Sequence, residues 1–171
     1  MEGFPVRVRV DVRFRDLDPL GHVNNAVFLS YMELARIRYF QRISPDWLEE
    51  GHFVVARMEV DYLRPILLGD EVFVGVRTVG LGRSSLRMEH LVTANGESAA
   101  KGLGVLVWLE GGRPAPLPEA IRERIRALEG RSYGSRARRS VSAAMPVDQP
   151  IDGIQQPMEA DPRRIEPAAP G

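Results

Sequence analysis

Over residues 6–14 apolar and polar side chains alternate strictly, with Val6, Val8, Val10, Val12 and Phe14 on one face and Arg7, Arg9, Asp11 and Arg13 on the other. A period of two turns one side to a core and the other to water, which predicts a half-buried strand. After Asp18-Pro19-Leu20-Gly21 the period changes. Val27, Tyr31, Leu34 and Ile37 or Arg38 recur at helical spacing, and Asn24 or Asn25 offers a capping oxygen, so a helix is expected to run to about Ile43. Ser44-Pro45 ends it or opens a short helical turn through Glu50.

Further strands are expected near residues 53–63, 71–78, 84–93 and 98–109. Between the last two, Ala94-Asn95-Gly96-Glu97 carries the Asn-Gly pair of a tight hairpin, which makes those strands antiparallel neighbours. A second helix is expected over residues 118–128, with proline in its first turn and Ile121, Ile125 and Leu128 on one face. One long helix against about five antiparallel strands is an α+β arrangement, the sheet wrapped around the helix. Beyond Gly130 the pattern stops. Pro146, Pro150, Pro157, Pro162, Pro167 and Pro170 recur through a polar stretch, so the domain is placed at residues 1–130 and a disordered tail at 131–171, whose removal is expected to leave activity intact.

Composition narrows the function classes. The chain has 171 residues, 44% hydrophobic and 27% charged, enough for one sizeable core. Its formal net charge is zero, which disfavours a polyanion-binding role; the arginines at the start of the tail are offset by acidic residues further on. With no cysteine, thiolate nucleophiles, disulfides and thiolate metal sites are excluded. The amino terminus alternates where a signal peptide would be continuously apolar, and no run reaches the roughly 18 apolar residues of a membrane span, so a cytoplasmic protein is expected.

The candidate chemistry lies in residues 13–40, where two acidic residues, a glycine turn and a His/Asn cluster precede the first helix. Backbone N–H groups at a helix start lack intrahelical partners, and a carboxylate a few residues upstream can stand beside them. Asp18 is a candidate base or nucleophile; taken alone, it also fits a simple Asp-Pro turn. Asp16 is assigned to charge pairing with Arg13 or Arg15, or to ordering the loop. One of Asn24 and Asn25 caps the helix while the other is free to hold water or orient Asp18. His22 invites a base assignment as a histidine beside a carboxylate, and is given a positioning or pocket role ahead of a direct base role. Glu33 is read as a salt-bridge partner of Arg36, with a reserve role as the catalytic carboxylate. His90 alternates with Leu86, Met88 and Val92 and is read as a hydrogen-bonded core histidine. Together with His22 and His52 it shows no metal-ligand spacing.

The run Asp16-Leu17-Asp18-Pro19-Leu20-Gly21-His22-Val23-Asn24-Asn25, followed by Tyr31-Met32-Glu33-Leu34-Ala35-Arg36, resembles the hotdog-fold acyl-CoA thioesterases of the 4-hydroxybenzoyl-CoA thioesterase type. Tyr62-Leu63-Arg64-Pro65, Gly69-Asp70, Gly82-Arg83-Ser84-Ser85 and Gly112-Arg113-Pro114 extend the likeness over roughly residues 4–129. The resemblance implies a hotdog fold and makes Asp18 the catalytic carboxylate, with the oxyanion at the backbone N–H near Asn25. It also implies acyl-CoA as substrate, no cofactor, and a homodimer or homotetramer whose sites lie at the seam between sheets. His22, Val23, Asn24 and Tyr31 become pocket residues, and Arg83, Ser84 and Ser85 become contacts to the phosphates or pantetheine of CoA. Residues 82–86 are otherwise neither a GxSxG elbow, because Leu86 stands where glycine is required, nor a P-loop. Val27, Phe28, Tyr31, Phe53, Val55 and Met58 are candidates to line an aryl pocket or an acyl tunnel. Two other activities are compatible with the same residues: a non-catalytic acyl-CoA or acyl-carrier-protein binding module, and a hotdog dehydratase, which the site motif fits poorly.

Overall fold

A computed structural model describes residues 1–44, 52–131 and 133. The chain divides into a compact unit, Met1–Ala137, and a second, Arg138–Gly171, which lies outside the described residues. The helical turn expected after Pro45 and nearly all of the expected tail also fall outside them.

Six strands and two helices are described: β1 (Val6–Val10), α1 (Asn25–Ile43), β2 (His52–Tyr62), β3 (Val72–Leu81), β4 (Ser85–Ala94), β5 (Glu97–Glu110), β6 (Arg113–Pro114) and α2 (Glu119–Glu129). The sheet is antiparallel in the order β1-β3-β4-β5-β2, and the two-residue β6 pairs with β5. With α1 across it, this is the hotdog architecture, one short strand beyond the five expected. Asn95 and Gly96 take φ of 51° and 85° in the β4–β5 turn, the left-handed conformation that a two-residue hairpin demands.

The first strand is shorter than its alternation suggests. It ends at Val10, and residues 14–16 form a 3-10 turn that leaves Phe14 82% exposed. The cause is Asp16, whose buried carboxylate accepts the Arg13 N–H at 2.9 Å and thereby bends the chain away from the sheet. The buried face of α1 also differs from the one expected. Phe28, Tyr31, Met32, Ala35, Tyr39, Phe40 and Ile43 enter the core, whereas Val27 and Ile37 are half-buried and Leu34 is 40% exposed. Both stripes have helical period; which one the helix turns inward is settled by packing on β1 and β3.

At its far end α1 is tied to α2 and β3 by a polar network. Glu129 accepts the Tyr39 hydroxyl at 2.8 Å and the Thr78 N–H, while the Thr78 hydroxyl donates to Tyr39 Oη. Arg131 and Tyr133 both donate to the Thr78 carbonyl, at 2.6 and 2.7 Å. The packed domain therefore reaches at least Tyr133, three residues past the boundary that composition suggested, and a truncation that tests the tail begins after Tyr133.

Candidate active site

The loop between β1 and α1 is held from both sides. Leu17 bridges Val23, and His22 bridges Leu67 of the β2–β3 connection. Gly21, at φ 80°, makes the tight turn between them. Through this turn the Asp18 N–H donates to the His22 carbonyl at 2.7 Å, and Asp18 Oδ1 accepts the N–H groups of Leu20 at 2.9 Å and His22 at 3.1 Å. Asp18 Oδ2 has no hydrogen-bond partner among the described residues. One oxygen fixes the carboxylate and the other is free of hydrogen bonds among the described residues.

Asn24 is the N-cap. Its Oδ1 accepts the Ala26 N–H at 2.9 Å, and its own N–H donates to the Asp16 carbonyl at 2.8 Å. Asn25 is therefore the first helical residue, and its N–H has no partner among the described residues, as expected at a helix start. The Asn25 carbonyl accepts the Tyr62 hydroxyl at 3.0 Å, which ties β2 to the same point; Tyr62 was not anticipated from sequence, though it opens the Tyr62-Leu63-Arg64-Pro65 motif. His22 is half-buried, and its ring makes no hydrogen bond among the described residues. Val23 is buried, its N–H on the Ile66 carbonyl at 2.8 Å.

Asp16 and Asp18 are separated in role by their partners. Asp16 Oδ2 accepts both the Arg13 N–H and the Tyr31 hydroxyl, the latter at 2.8 Å. Burial favours its protonated form, but these two hydrogen bonds and the charges of Arg13 and Arg15 outweigh that and hold Asp16 below the ordinary carboxylate value. Burial, then the bond to Asp16, pushes the Tyr31 phenol well above its usual range. Asp16 orders the loop by hydrogen bonds to a backbone amide and a phenol, one of the two expected roles, and the charges of Arg13 and Arg15 act on it without an ion pair within 4.0 Å among the described residues. Tyr31 lies in the core of its own chain and spends its hydroxyl on that bond. Glu33 is an exposed partner of Arg36 at 4.0 Å.

Arg83, Ser84 and Ser85 are not beside Asp18 in the same chain. Pairing of Val10 with Val72 puts the Asp18 loop at the start of β3, whereas Gly82–Ser85 follows the end of that strand, about 30 Å away at 3.3 Å per residue. The turn is rigid: Arg122 of α2 donates to the carbonyls of Gly82 and Arg83 at 2.6 and 2.7 Å, and Leu117 N–H also reaches the Arg83 carbonyl. The Arg83 side chain is exposed and has no ion-pair partner among the described residues.

His90 is a core residue, 2% exposed, as expected, and its ring has no hydrogen-bond partner of good geometry, only the Gly102 backbone beside it. Burial first, and the Arg36 charge second, push its pKa down to about 3, against a weaker opposing influence of the Gly102 backbone. The unfolded chain therefore binds a proton at His90 that the folded chain refuses. Stability is expected to fall as pH drops from about 6.5 towards 3, by up to about 1.4 kcal/mol per pH unit, and His90→Gln should flatten that slope in urea titrations across the range. Among the described residues no group of three or more His, Asp or Glu side chains is placed to hold a metal ion, and no helix is long and apolar enough to cross a membrane.

Residues 12–125 match the family model of the thioesterase-like superfamily. A crystal structure of a thioesterase from Thermus thermophilus, complexed with coenzyme A and zinc, is 99% identical to the chain, covering 77% of it and 99% of that protein with a TM-score of 0.75. The structure of a predicted thioesterase from Bacillus stearothermophilus is 31% identical, covers 71% and 94%, and has a TM-score of 0.67. The Arabidopsis thaliana chloroplastic acyl-acyl carrier protein thioesterase ATL3 is 27% identical over 124 residues, 68% of this chain and 65% of ATL3.

Proposed function

Since the chain belongs to the thioesterase-like superfamily, and is accordingly a thioester hydrolase, we propose that it cleaves acyl-CoA to a carboxylic acid and CoA with Asp18 as the catalytic carboxylate. The observation that carries this reading is that one short loop holds Asp18 by a single oxygen, leaving Oδ2 free, and ends seven residues later at the open Asn25 N–H that starts α1. Coenzyme A bound to the Thermus thermophilus thioesterase supports CoA as the thiol.

In this mechanism Asp18 Oδ2 takes a proton from water as the water oxygen attacks the thioester carbonyl carbon. Negative charge gathers on the carbonyl oxygen, which the Asn25 N–H and the aligned α1 dipole stabilise. Collapse restores the carbonyl and breaks the carbon–sulfur bond, and the departing thiolate recovers the proton from Asp18. Asn24 holds the helix start in register, His22 fixes Asp18 through its N–H, and Asp16 with Tyr31 braces the loop from the core. A panel assay of free-thiol release over short, medium, long and aromatic acyl-CoAs tests the activity directly. Binding without thiol release would instead identify a non-catalytic acyl-CoA module, and hydration of an enoyl thioester without release would identify a dehydratase.

The distance between Asp18 and the Arg83 turn in one chain supports a homodimer. β2 ends the sheet order, and its outer edge has no strand partner among the described residues, with Val54 and Val55 41% and 45% exposed. An unpaired eleven-residue edge is a template for association. If two copies pair antiparallel along β2, the His52 end of one meets the Tyr62 end of the other. Because His52 pairs with Leu109 near the Arg83 turn and Tyr62 touches Asn25, that pairing brings Arg83 of one copy toward Asp18 of the other. Arg83→Ala is expected to raise KM for acyl-CoA about ten- to hundred-fold with a smaller effect on kcat, since a phosphate contact remote from the carbonyl acts alike in ground and transition states. Steady-state kinetics on the folded variant checks this.

A further inference from the structure

Arg36 and His90 are two buried polar side chains whose presence the hydrolysis itself does not explain. Arg36 is 7% exposed, with its Nη1 buried and unpartnered, and its nearest counter-charge is exposed Glu33 at 4.0 Å. His90 is 2% exposed, with no hydrogen bond of good geometry at either nitrogen and only the Gly102 backbone beside the ring. Unsatisfied polar atoms in a core are costly, and a buried guanidinium without a close carboxylate more so. These atoms are enclosed by their own chain, so a second copy docking on the surface does not reach them.

Their surroundings are adaptable. His90 pairs with Gly102 across β4 and β5, and a Cβ on Gly102 would lie 2.7 Å from Met32 Sδ and 3.3 Å from Met58 Cε. A Cβ on Gly104 would meet Met58 Sδ at 2.9 Å and His90 Cε1 at 3.7 Å. Two glycines on β5 thus make room for two thioethers, unbranched side chains that repack easily around a guest. The helix connects this place to the reacting centre. Arg36 follows Asn25 by eleven residues, close to three full turns, so it lies on the same side of α1 about 16 Å further along, with Leu29 and Met32 between. An acyl chain whose carbonyl sits at the Asn25 N–H and which follows this stripe passes apolar side chains and ends at Arg36.

We propose that Arg36 and His90 form the polar floor of the acyl site, and that the enzyme takes medium-chain acyl thioesters carrying a second carboxylate at the far end. The guanidinium Nη1 donates to one carboxylate oxygen, and the neutral His90 ring donates to the other. This assignment rests on the thioesterase reading above, with Asn25 as the carbonyl end of the site.

The test compares thiol release from ω-carboxyacyl-CoA and methyl-terminated acyl-CoA of equal chain length, in the parent and in Arg36→Met and Arg36→Lys. The parent is expected to favour the carboxylate-ended substrate roughly ten- to hundred-fold in kcat/KM, the range of a charge-assisted hydrogen bond. Arg36→Met should bring the ratio to about one, and Arg36→Lys should restore part of it. Calorimetric titration of the parent with free α,ω-dicarboxylates and monocarboxylates of the same length gives a readout independent of turnover and of variant folding, with tighter binding of the dicarboxylate expected. Equal kcat/KM for the two substrates, with hydrolysis of both, overturns the polar floor and leaves the thioesterase reading standing. Absence of any thiol release overturns the thioesterase reading, and the titration then decides the floor by itself: equal affinities for the two acids overturn it.

Discussion

Asp18→Asn is expected to lower kcat by about 10²- to 10⁴-fold while the protein stays folded and binds substrate with little change, because the substitution removes one acid/base group and little else. The amide retains an oxygen in the position of Oδ1, so it can still accept the N–H groups of Leu20 and His22 that shape the turn. The free oxygen, Oδ2, is the atom whose basicity disappears. Single-turnover thiol release on the folded variant, with circular dichroism and CoA binding as controls, gives the answer; parent-like hydrolysis would eliminate Asp18 and make Glu33 the next carboxylate to test. Reaction of the parent in ¹⁸O-water separates base from nucleophile, since label enters the Asp18 carboxylate only if that carboxylate forms a covalent acyl intermediate.

The second large effect expected is loss of activity on dissociation. A charge placed on the open edge, as in Val54→Glu, replaces an exposed apolar side chain that pairing along β2 would cover, and burying an unpaired carboxylate there opposes association. The variant should sediment as a monomer and lose most of its acyl-CoA hydrolysis, because the Arg83 turn and the Asp18 loop lie at opposite ends of one sheet. Parallel measurement of sedimentation and specific activity over a dilution series should show the two falling together. A fully active monomer would place the whole site within one chain and remove Arg83 from it.

The contrast between Asp16 and Asp18 shows where reading the sequence stops. Two aspartates two residues apart have the same chemistry on paper. Asp16 is drawn into the core by the Tyr31 hydroxyl, fifteen residues on, and spends an oxygen on it; Asp18 is turned outward by Gly21 and keeps an oxygen free. The motif points to ten residues as the candidate site, and the Tyr31 hydroxyl from α1 gives its two aspartates different surroundings.

Local pattern determined the α+β class, a cap at Asn24 or Asn25, the end of α1 near Ile43 and the Asn95-Gly96 hairpin that makes β4 and β5 neighbours. These depend on neighbours within a few residues, through alternation, helical spacing and backbone preference, all of which are written along the chain. Tertiary structure decided what depends on residues far apart in sequence: which stripe of α1 is buried, how Asp16 ends β1 early, how Thr78 and Glu129 carry the domain past Gly130, and how far Arg83 stands from Asp18. It also decided that Arg36 and His90 share a core without hydrogen-bond partners for Nη1 and the imidazole nitrogens. No periodicity records such a pairing, because burial and the satisfaction of polar atoms are properties of the whole packed assembly of elements and not of any one of them.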